Sequence, residues 1–342
     1  MAATALAAGC VEGNRERVKA IDLSYLDTTV SPAVDFYQYA TGGWQKNNPL
    51  KPEYARFGSF DYLNENNEKR INDLFKSMTE MKAAKGSVEQ KISDIYKMGL
   101  DSLRLNEERF APVKKYLDQI LNAGSKDELV KVIADLHDSG ESSFFGTFVM
   151  SDLMDSESQI LYIGQGGLGI GDRDYYTEAE NAEIKKGYEK FLTRVFELAG
   201  IPMPETAAAN ALAVEDVLAI NSWTSVQERD MEKLYNPMST EEIESKYPGF
   251  DFKAYFAARN IPDQKKINVN EPSFFEAFSN YFAEADLNML KNYMAGQLIQ
   301  GACGALSDDF YDASFDFFNR QMSGVTEQKP RWKRAMSVPN SI

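Results

Sequence analysis

Apolar residues recur at three- and four-residue intervals along most of this chain, the spacing that gathers them on one face of an α-helix. Leu63, Ile71, Leu74, Phe75 and Met78 share such a face, and Ile92, Ile95, Tyr96 and Leu100 form the next. Ser125 and Glu128 precede Leu129, Val132, Ile133 and Leu136 with the spacing of a capping box. The same pairing at Thr177/Glu180 and Ser239/Glu242 predicts two more helix starts. Helical periodicity fills most of 177–235 with a break at Gly200-Ile201-Pro202, and returns over 272–302, 308–322 and from Pro330 onward. Ser31-Pro32 opens a short amphipathic segment, PAVDFYQYA, that Gly42-Gly43 closes. Only residues 143–171 read differently. There SFFGTFVM and QILYI flank the polar SDLMDSES, which predicts a β-hairpin. The expected fold is mainly α, a large multi-helix lobe with a small β-hairpin insert at about residues 143–171 and no clear linker dividing it.

Composition fits a globular chain: 43% apolar and 26% charged over 342 residues, with no low-complexity tract. The 37 basic and 52 acidic residues give a net charge of -15, which repels a phosphate backbone and argues against a nucleic-acid partner. No run of 18 apolar residues exists to span a membrane. The first ten residues, MAATALAAGC, have the look of a bacterial lipoprotein signal's tail, with Cys10 as the lipidated residue. Leu6 stands one place early and no Lys or Arg precedes the run, so a plain disordered N-terminus is the competing reading. The export reading makes residues 1–18 a clipped signal and linker ahead of a lobe over 19–342. The second cysteine, Cys303 in GACGAL, reads as a small buried residue at a helix contact.

One histidine, His137, is present. A helical zinc site of the H-E-x-x-H kind needs two histidines a turn apart, so this chain cannot hold one. His137 stands near a helix end stopped by Gly140, where the helix dipole favours a partly protonated imidazole. Residues 164–169, GQGGLG, match a dinucleotide fingerprint in spelling, but no helix signal follows at once; tight turns and close backbone approaches explain the glycines better. In GDRDYY, Arg173 reads as a clasp bridging carbonyls and a carboxylate. RDMEKLYNPM, 229–238, reads as a helix terminus, and RWKR, 331–334, as a helix that packs Trp332 inward with its cations in solvent, the alternative being a basic amphipathic turn that meets an acidic partner surface. In YARFGSFDYL, 54–63, the four aromatics predict a half-buried stretch, and a buried arginine requires an anionic partner. Asp61 closes on Arg56 as an internal pair, or it braces a guanidinium that meets an anion from outside.

DFYQYATGGWQKNNPLKPEYARFGSFDYL, QGGLGIGDRDYY, RDMEKLYNPM, LKNYM at 290–294 and RWKR, in that order, resemble the non-catalytic half of the neprilysin-like zinc metallopeptidases. Endothelin-converting enzymes and bacterial oligopeptidases belong to that family. The resemblance covers about residues 20 to 342. It implies a mostly helical lobe that caps a thermolysin-like catalytic lobe across a closed chamber, in an enzyme that cleaves peptides and small polypeptides. It also implies that Arg56 reaches into the chamber to bind the substrate's primed side, with Asp61 in support. The partners implied are the catalytic C-terminal lobe and peptide substrates. The expected location is the bacterial cell envelope, periplasm or outer surface, with membrane anchoring if Cys10 is lipidated. Thr41 stands where animal members carry cysteine before GGW, and Gly171 where the family often has proline, which should loosen that turn. The family's H-E-x-x-H, its downstream zinc-binding glutamate and its transition-state histidine have no counterpart here. The expectation is therefore a fragment or split product, with no cofactor of its own and inactive alone, and with zinc in the full-length family enzyme. A second reading, from another class, is a helical surface lipoprotein that binds peptides or glycans without catalysis.

Overall fold

Two compact units, dividing between Asn67 and Glu68, make up the computed structural model, which describes residues 22–341. In the first, the Asp35 carboxylate accepts the Gln38 N–H and opens α1 (Phe36–Asn47). The helix starts later than Ser31-Pro32 predicted and runs through Gly42-Gly43 rather than ending there. The glycines serve packing. A Cβ at Gly42 would lie 2.7 Å from Asp27 Cβ, and one at Gly43 2.3 Å from the Ser24 carbonyl oxygen. Bare backbone lets the 22–30 segment lie along α1, where the Asp27 N–H donates to the Tyr39 carbonyl at 2.8 Å. The unit ends within α2 (Ser59–Glu80).

The second unit begins with the remainder of α2. Phe75, with Ile71 and Met78 beside it, packs on Tyr96 of α3 (Val88–Leu100), on Trp332 and on the buried Ala335 and Met336. Leu74 and Leu100 face solvent, so the apolar stripe is narrower than the periodicity predicted. Next come α4 (Ser102–Glu108), α5 (Ala111–Asn122) and α6 (Lys126–Asp138). Ser125 caps α6 by accepting the Glu128 N–H, but the Glu128 carboxylate accepts from Gly124 instead of closing a capping box.

The expected hairpin is present as β1 (Phe145–Asp152) and β2 (Asp155–Gln165), antiparallel, with the turn reduced to Leu153-Met154. Both strands extend into the stretch read as a polar loop, since one face of each is solvated and accepts polar residues. After α7 (Asp174–Thr177), α8 (Ala182–Ala199) and α9 (Pro204–Asn221) follow, with Gly200 in the left-handed conformation ending α8. Thr177 closes α7 and does not cap the helix after it. Beyond Asn221 the helical expectation fails: residues 222–236 are irregular apart from a 3-10 turn at Gln227–Arg229, so RDMEKLYNPM is a loop and not a helix end. The loop is tied by an Asp230–Lys233 ion pair and by the Asn236 N–H donating to the Asn268 side chain at 2.7 Å.

Then come β3 (Pro237–Met238), α10 (Thr240–Lys246), α11 (Phe252–Ala258), β4 (Ile267–Val269), α12 (Pro272–Glu284) and α13 (Leu287–Ala302). Ser239 and Glu242 form the full capping box at α10. α14 (Asp308–Ser314) continues into a π-helical turn, Phe315–Gln321, and α15 (Arg331–Ser341) closes the described chain. The sheet order is β1-β2-β4-β3, with β2 and β4 parallel. The hairpin is thus part of a four-stranded mixed sheet in a mainly helical fold. Phe144 and Phe145, at the entrance to β1, are fully buried among Phe250, Phe278, Phe282 and Tyr293, whose rings meet them at centroid distances of 4.6–5.8 Å. These rings tie α12, α13 and the 247–252 turn to the sheet.

Candidate functional site

Arg56 lies on the loop between α1 and α2. Tyr54 and Phe57 on either side pin that loop: Phe57 stacks on Trp44 at 6.2 Å and meets Tyr54 edge-on at 5.3 Å. The Tyr54 hydroxyl donates to Glu65 Oε1 at 3.0 Å, and Lys51 pairs with the other oxygen of that buried carboxylate. The aromatics expected to bury the stretch therefore divide. Tyr54 and Phe57 pack inward while Phe60 is 85% exposed and Tyr62 is exposed with it. Arg56 is exposed, and among the described residues its guanidinium has no ion pair and no hydrogen-bond acceptor. Asp61 is engaged elsewhere. Its Oδ2 accepts the Gly58 N–H at 2.8 Å, the reach-back half of a capping box that starts α2. Asp61 thus fixes the turn that follows Arg56 and makes no salt bridge to it. Cys10, the third residue singled out, lies outside the described residues.

The glycine-rich loop forms a second cluster, in the other unit. Gly167 adopts φ +79°, and a Cβ there would lie 2.2 Å from the Tyr293 hydroxyl and 2.6 Å from the Phe144 nitrogen. Tyr293 Oη donates to the Gly167 carbonyl and accepts the Phe144 N–H, both at 2.8 Å. The loop is a packing device, with the close backbone approaches expected where no helix start follows the glycines. Beneath it sits Glu215 of α9, 1% exposed. It accepts from the Gly169 N–H at 3.0 Å, from Gln297 Nε2 and Tyr188 Oη at 2.8 Å each, and from Tyr176 Oη. Burial pushes its carboxyl up to about 7, against the pull of these donors. Tyr188 Oη also lies 2.9 Å from Gln300 Oε1. A protonated Glu215 can donate to Tyr188 and free its hydroxyl to donate to Gln300 Oε1, whereas an ionised Glu215 accepts the Tyr188 hydrogen bond and leaves Gln300 Oε1 without that donor. The pattern carried a signal for Glu215: it occupies the place of an apolar residue in the stripe Ala208, Ala211, Leu212, Leu218.

Beside this loop, Gln165, Asp172, Arg173, Trp223 and Glu228 line a cavity of about 240 Å³. Arg173 donates to the Ser222 carbonyl at 2.9 Å but makes no ion pair among the described residues, so the expected clasp reaches a carbonyl and not a carboxylate. Asp172 accepts instead from the Ser225 hydroxyl and the Asp174 N–H. Glu271, buried behind Gln165, accepts its N–H at 2.7 Å; burial pushes this carboxyl up to about 7 as well. Gly171 stands at φ +87°, which a proline ring cannot adopt, so the turn here differs in kind from one built on proline.

His137 is at the end of α6, as expected, but is buried and neutral. Its Nδ1 lies 2.7 Å from the Tyr255 hydroxyl and its Nε2 2.9 Å from the Ser143 carbonyl. Burial lowers its pKa to about 4, and overrides the helix dipole that was expected to hold it partly protonated. With both nitrogens engaged, it has no lone pair to offer a metal. No group of three or more His, Cys, Asp or Glu among the described residues is arranged to hold a metal ion, so these residues do not fit a zinc site. Cys303 is buried, donates to the Ile299 carbonyl, and has its thiol pushed up to about 12 by burial. In RWKR, Trp332 packs on the Phe75–Tyr96 cluster as expected, but the cations do not all stay in solvent: Lys333 is buried and 3.7 Å from Glu68, and Arg331 binds the Gly99 carbonyl and Asp308.

Fold and site together describe a mainly helical chain in which Arg56 stands exposed on a pinned loop with no acceptor among the described residues, and in which those residues form no metal-ligand cluster. The model of the N-terminal domain described as Peptidase family M13 matches residues 32–342, and the chain belongs to that family. Human endothelin-converting enzyme 1 is 28% identical over 92% of this chain, and the endothelin-converting enzyme homolog of Locusta migratoria is 27% identical over 97%. The aligned parts are 42% and 49% of those proteins, so the chain spans less than half the length of each. The inhibitor-bound crystal structure of Mycobacterium tuberculosis zinc metalloprotease Zmp1 superposes with a TM-score of 0.89 at 25% identity, over 94% of this chain and 50% of that one. PepO from Lactobacillus rhamnosis shares the fold, with a TM-score of 0.77 at 18% identity over 90% of this chain and 49% of that one. No described helix is long and apolar enough to cross a membrane.

Proposed function

We propose that this chain is the substrate-binding lobe of an exported zinc metalloendopeptidase of family M13, which caps a catalytic lobe supplied by another stretch of polypeptide, and that Arg56 grips the peptide substrate. The observation that carries the reading is Arg56 itself. It is an exposed guanidinium without an acceptor among the described residues, on a loop whose neighbours Tyr54, Phe57 and Asp61 are all held. An arginine fork matches a carboxylate in two-point geometry, and a pinned loop keeps the ordering cost of such a grip small. The catalytic lobe is the second element. Within the first unit Val34, Phe36, Tyr37, Leu50, Phe60 and Leu63 are each more than half exposed, apolar side chains that a partner lobe would cover.

The reading is tested on the chain assembled with a family catalytic lobe. Arg56→Ala raises KM for short peptides with a free C-terminus by roughly ten- to a hundredfold, the loss of a charge-assisted hydrogen-bond pair, and leaves kcat near its starting value. Amidated versions of the same peptides lose little. Equal losses on free and amidated peptides, or none on either, would remove the grip.

A further inference from the structure

Arg334 combines a buried, unpartnered Nε with a place beside an apolar cavity, and it belongs to no function described above. Arg334 lies on α15 at the edge of a cavity of about 170 Å³. Ile95 and Met98 of α3, Leu105 of α4 and Ala335 of α15 wall that cavity, and it is predominantly apolar. α3 and α15 meet closely at its wall, where a Cβ at Gly99 would stand 2.9 Å from Ala335 Cβ. The two arginines at its edge differ. Arg331 is satisfied, with Nε donating to the Gly99 carbonyl at 2.8 Å and a terminal nitrogen 3.0 Å from Asp308. The Arg334 guanidinium lies 4.1 Å from the Tyr311 ring centroid, and its Nε is buried with no hydrogen-bond partner. No described carboxylate stands within ion-pair distance of it. An unpaired cation held over an aromatic ring beside an apolar hollow is unusual in a protein with 52 acidic residues available to it.

We propose that this cavity binds an aliphatic monocarboxylate of medium chain length, with its tail among Ile95, Met98 and Leu105 and its head group on Arg334. The tail replaces water in an apolar hollow, and the carboxylate supplies the acceptor that the guanidinium lacks. A peptide terminus fits less well. Arg331 already engages the Gly99 carbonyl, and little polar surface remains in the cavity for a backbone amide.

The test is calorimetric titration of the full chain with octanoate below its micellar concentration, beside octanol, acetate and an N-acetylated leucine. The expected order is octanoate bound at least tenfold more tightly than octanol or acetylleucine, with acetate undetected. Arg334→Gln should weaken octanoate tenfold or more while leaving octanol unchanged, and Arg334→Lys should retain part of the affinity. Gly304 lines the cavity, and a Cβ there meets open space, so Gly304→Leu should fill the hollow without strain and abolish binding of both octanoate and octanol. Far-UV circular dichroism checks that each variant is folded. Octanol binding as well as octanoate, an Arg334→Gln chain that is folded and unchanged, or no octanoate binding overturns the proposal. Tighter binding of acetylleucine would replace the fatty carboxylate with a peptide C-terminus and overturn it too.

Discussion

Ionisation of the buried Glu215 works against the stability of the fold. Its carboxyl is raised from the ordinary value near 4.5 to about 7, so the folded protein holds a proton there that the unfolded chain has released. Such a group adds its full stability below pH 4.5 and loses it as the pH rises through 7. A shift of this size corresponds to roughly 3 kcal/mol. Glu271 acts in the same direction over the same window, and His137 opposes both between pH 6.5 and 4 because its folded pKa is depressed. Glu215→Gln isolates the first term, since the others cancel in the comparison. Urea denaturation should show the parent losing roughly 3 kcal/mol more than the variant between pH 4.5 and 8; parallel slopes would show that burial does not perturb Glu215. At this scale the sequence was legible where a residue's neighbours in the chain decide its fate. Cys303 and the glycines of GQGGLG behave as their local pattern implied. Distant partners decide the others. His137 loses its proton to burial by Tyr255, Ser143 and Phe145, and no reading of LVKVIADLHDSG could place those groups around it.

Elements followed the same division. Helices with strong 3.6-residue periodicity and the β1–β2 hairpin were readable because their hydrogen bonds are local. β4 is only three residues long and pairs with β2 from about a hundred positions downstream, so its existence depends on tertiary packing and left no period in the sequence. The loop at 222–236 lost its expected helix because Asn236 bonds to Asn268 across that same sheet. The glycine-rich loop offers a test of how tightly the elements are keyed together. Gly171 and Gly167 both have positive φ, but a Cβ at Gly171 meets nothing, whereas one at Gly167 strikes the Tyr293 hydroxyl and the Phe144 nitrogen. Gly171→Ala should therefore cost about 1–2 kcal/mol for the left-handed backbone alone, and Gly167→Ala at least twice that, because the Tyr293–Phe144 bond must also give way. Equal losses in thermal denaturation would mean that the loop does not key α13 to the entrance of β1.

For the whole molecule, the first unit is the part least complete in itself. Phe60 is 85% exposed, Phe36 68% and Tyr37 69%, and these rings surround no core of their own. Under the proposed function these rings meet the catalytic lobe. Replacing all three rings by serine should reduce self-association of the chain in light scattering and weaken its capture of a family catalytic lobe by about tenfold or more, in line with the role of aromatic anchors at interfaces. Nothing in the residue pattern announces this face. Aromatics in YARFGSFDYL read as burial within one chain, and only the coordinates separate Tyr54 and Phe57, which pack, from Phe60 and Tyr62, which do not. The central claim, that this lobe supplies the grip and another polypeptide segment the chemistry, is tested most directly by reconstitution. The chain and a purified family catalytic lobe are mixed in increasing ratio with a free-acid peptide, and cleavage is followed. The account predicts cleavage that rises with the chain and saturates, and an Arg56→Ala chain that saturates at the same ratio but requires a higher peptide concentration. Peptide cleavage by the chain alone, or a catalytic lobe indifferent to its addition, would contradict it.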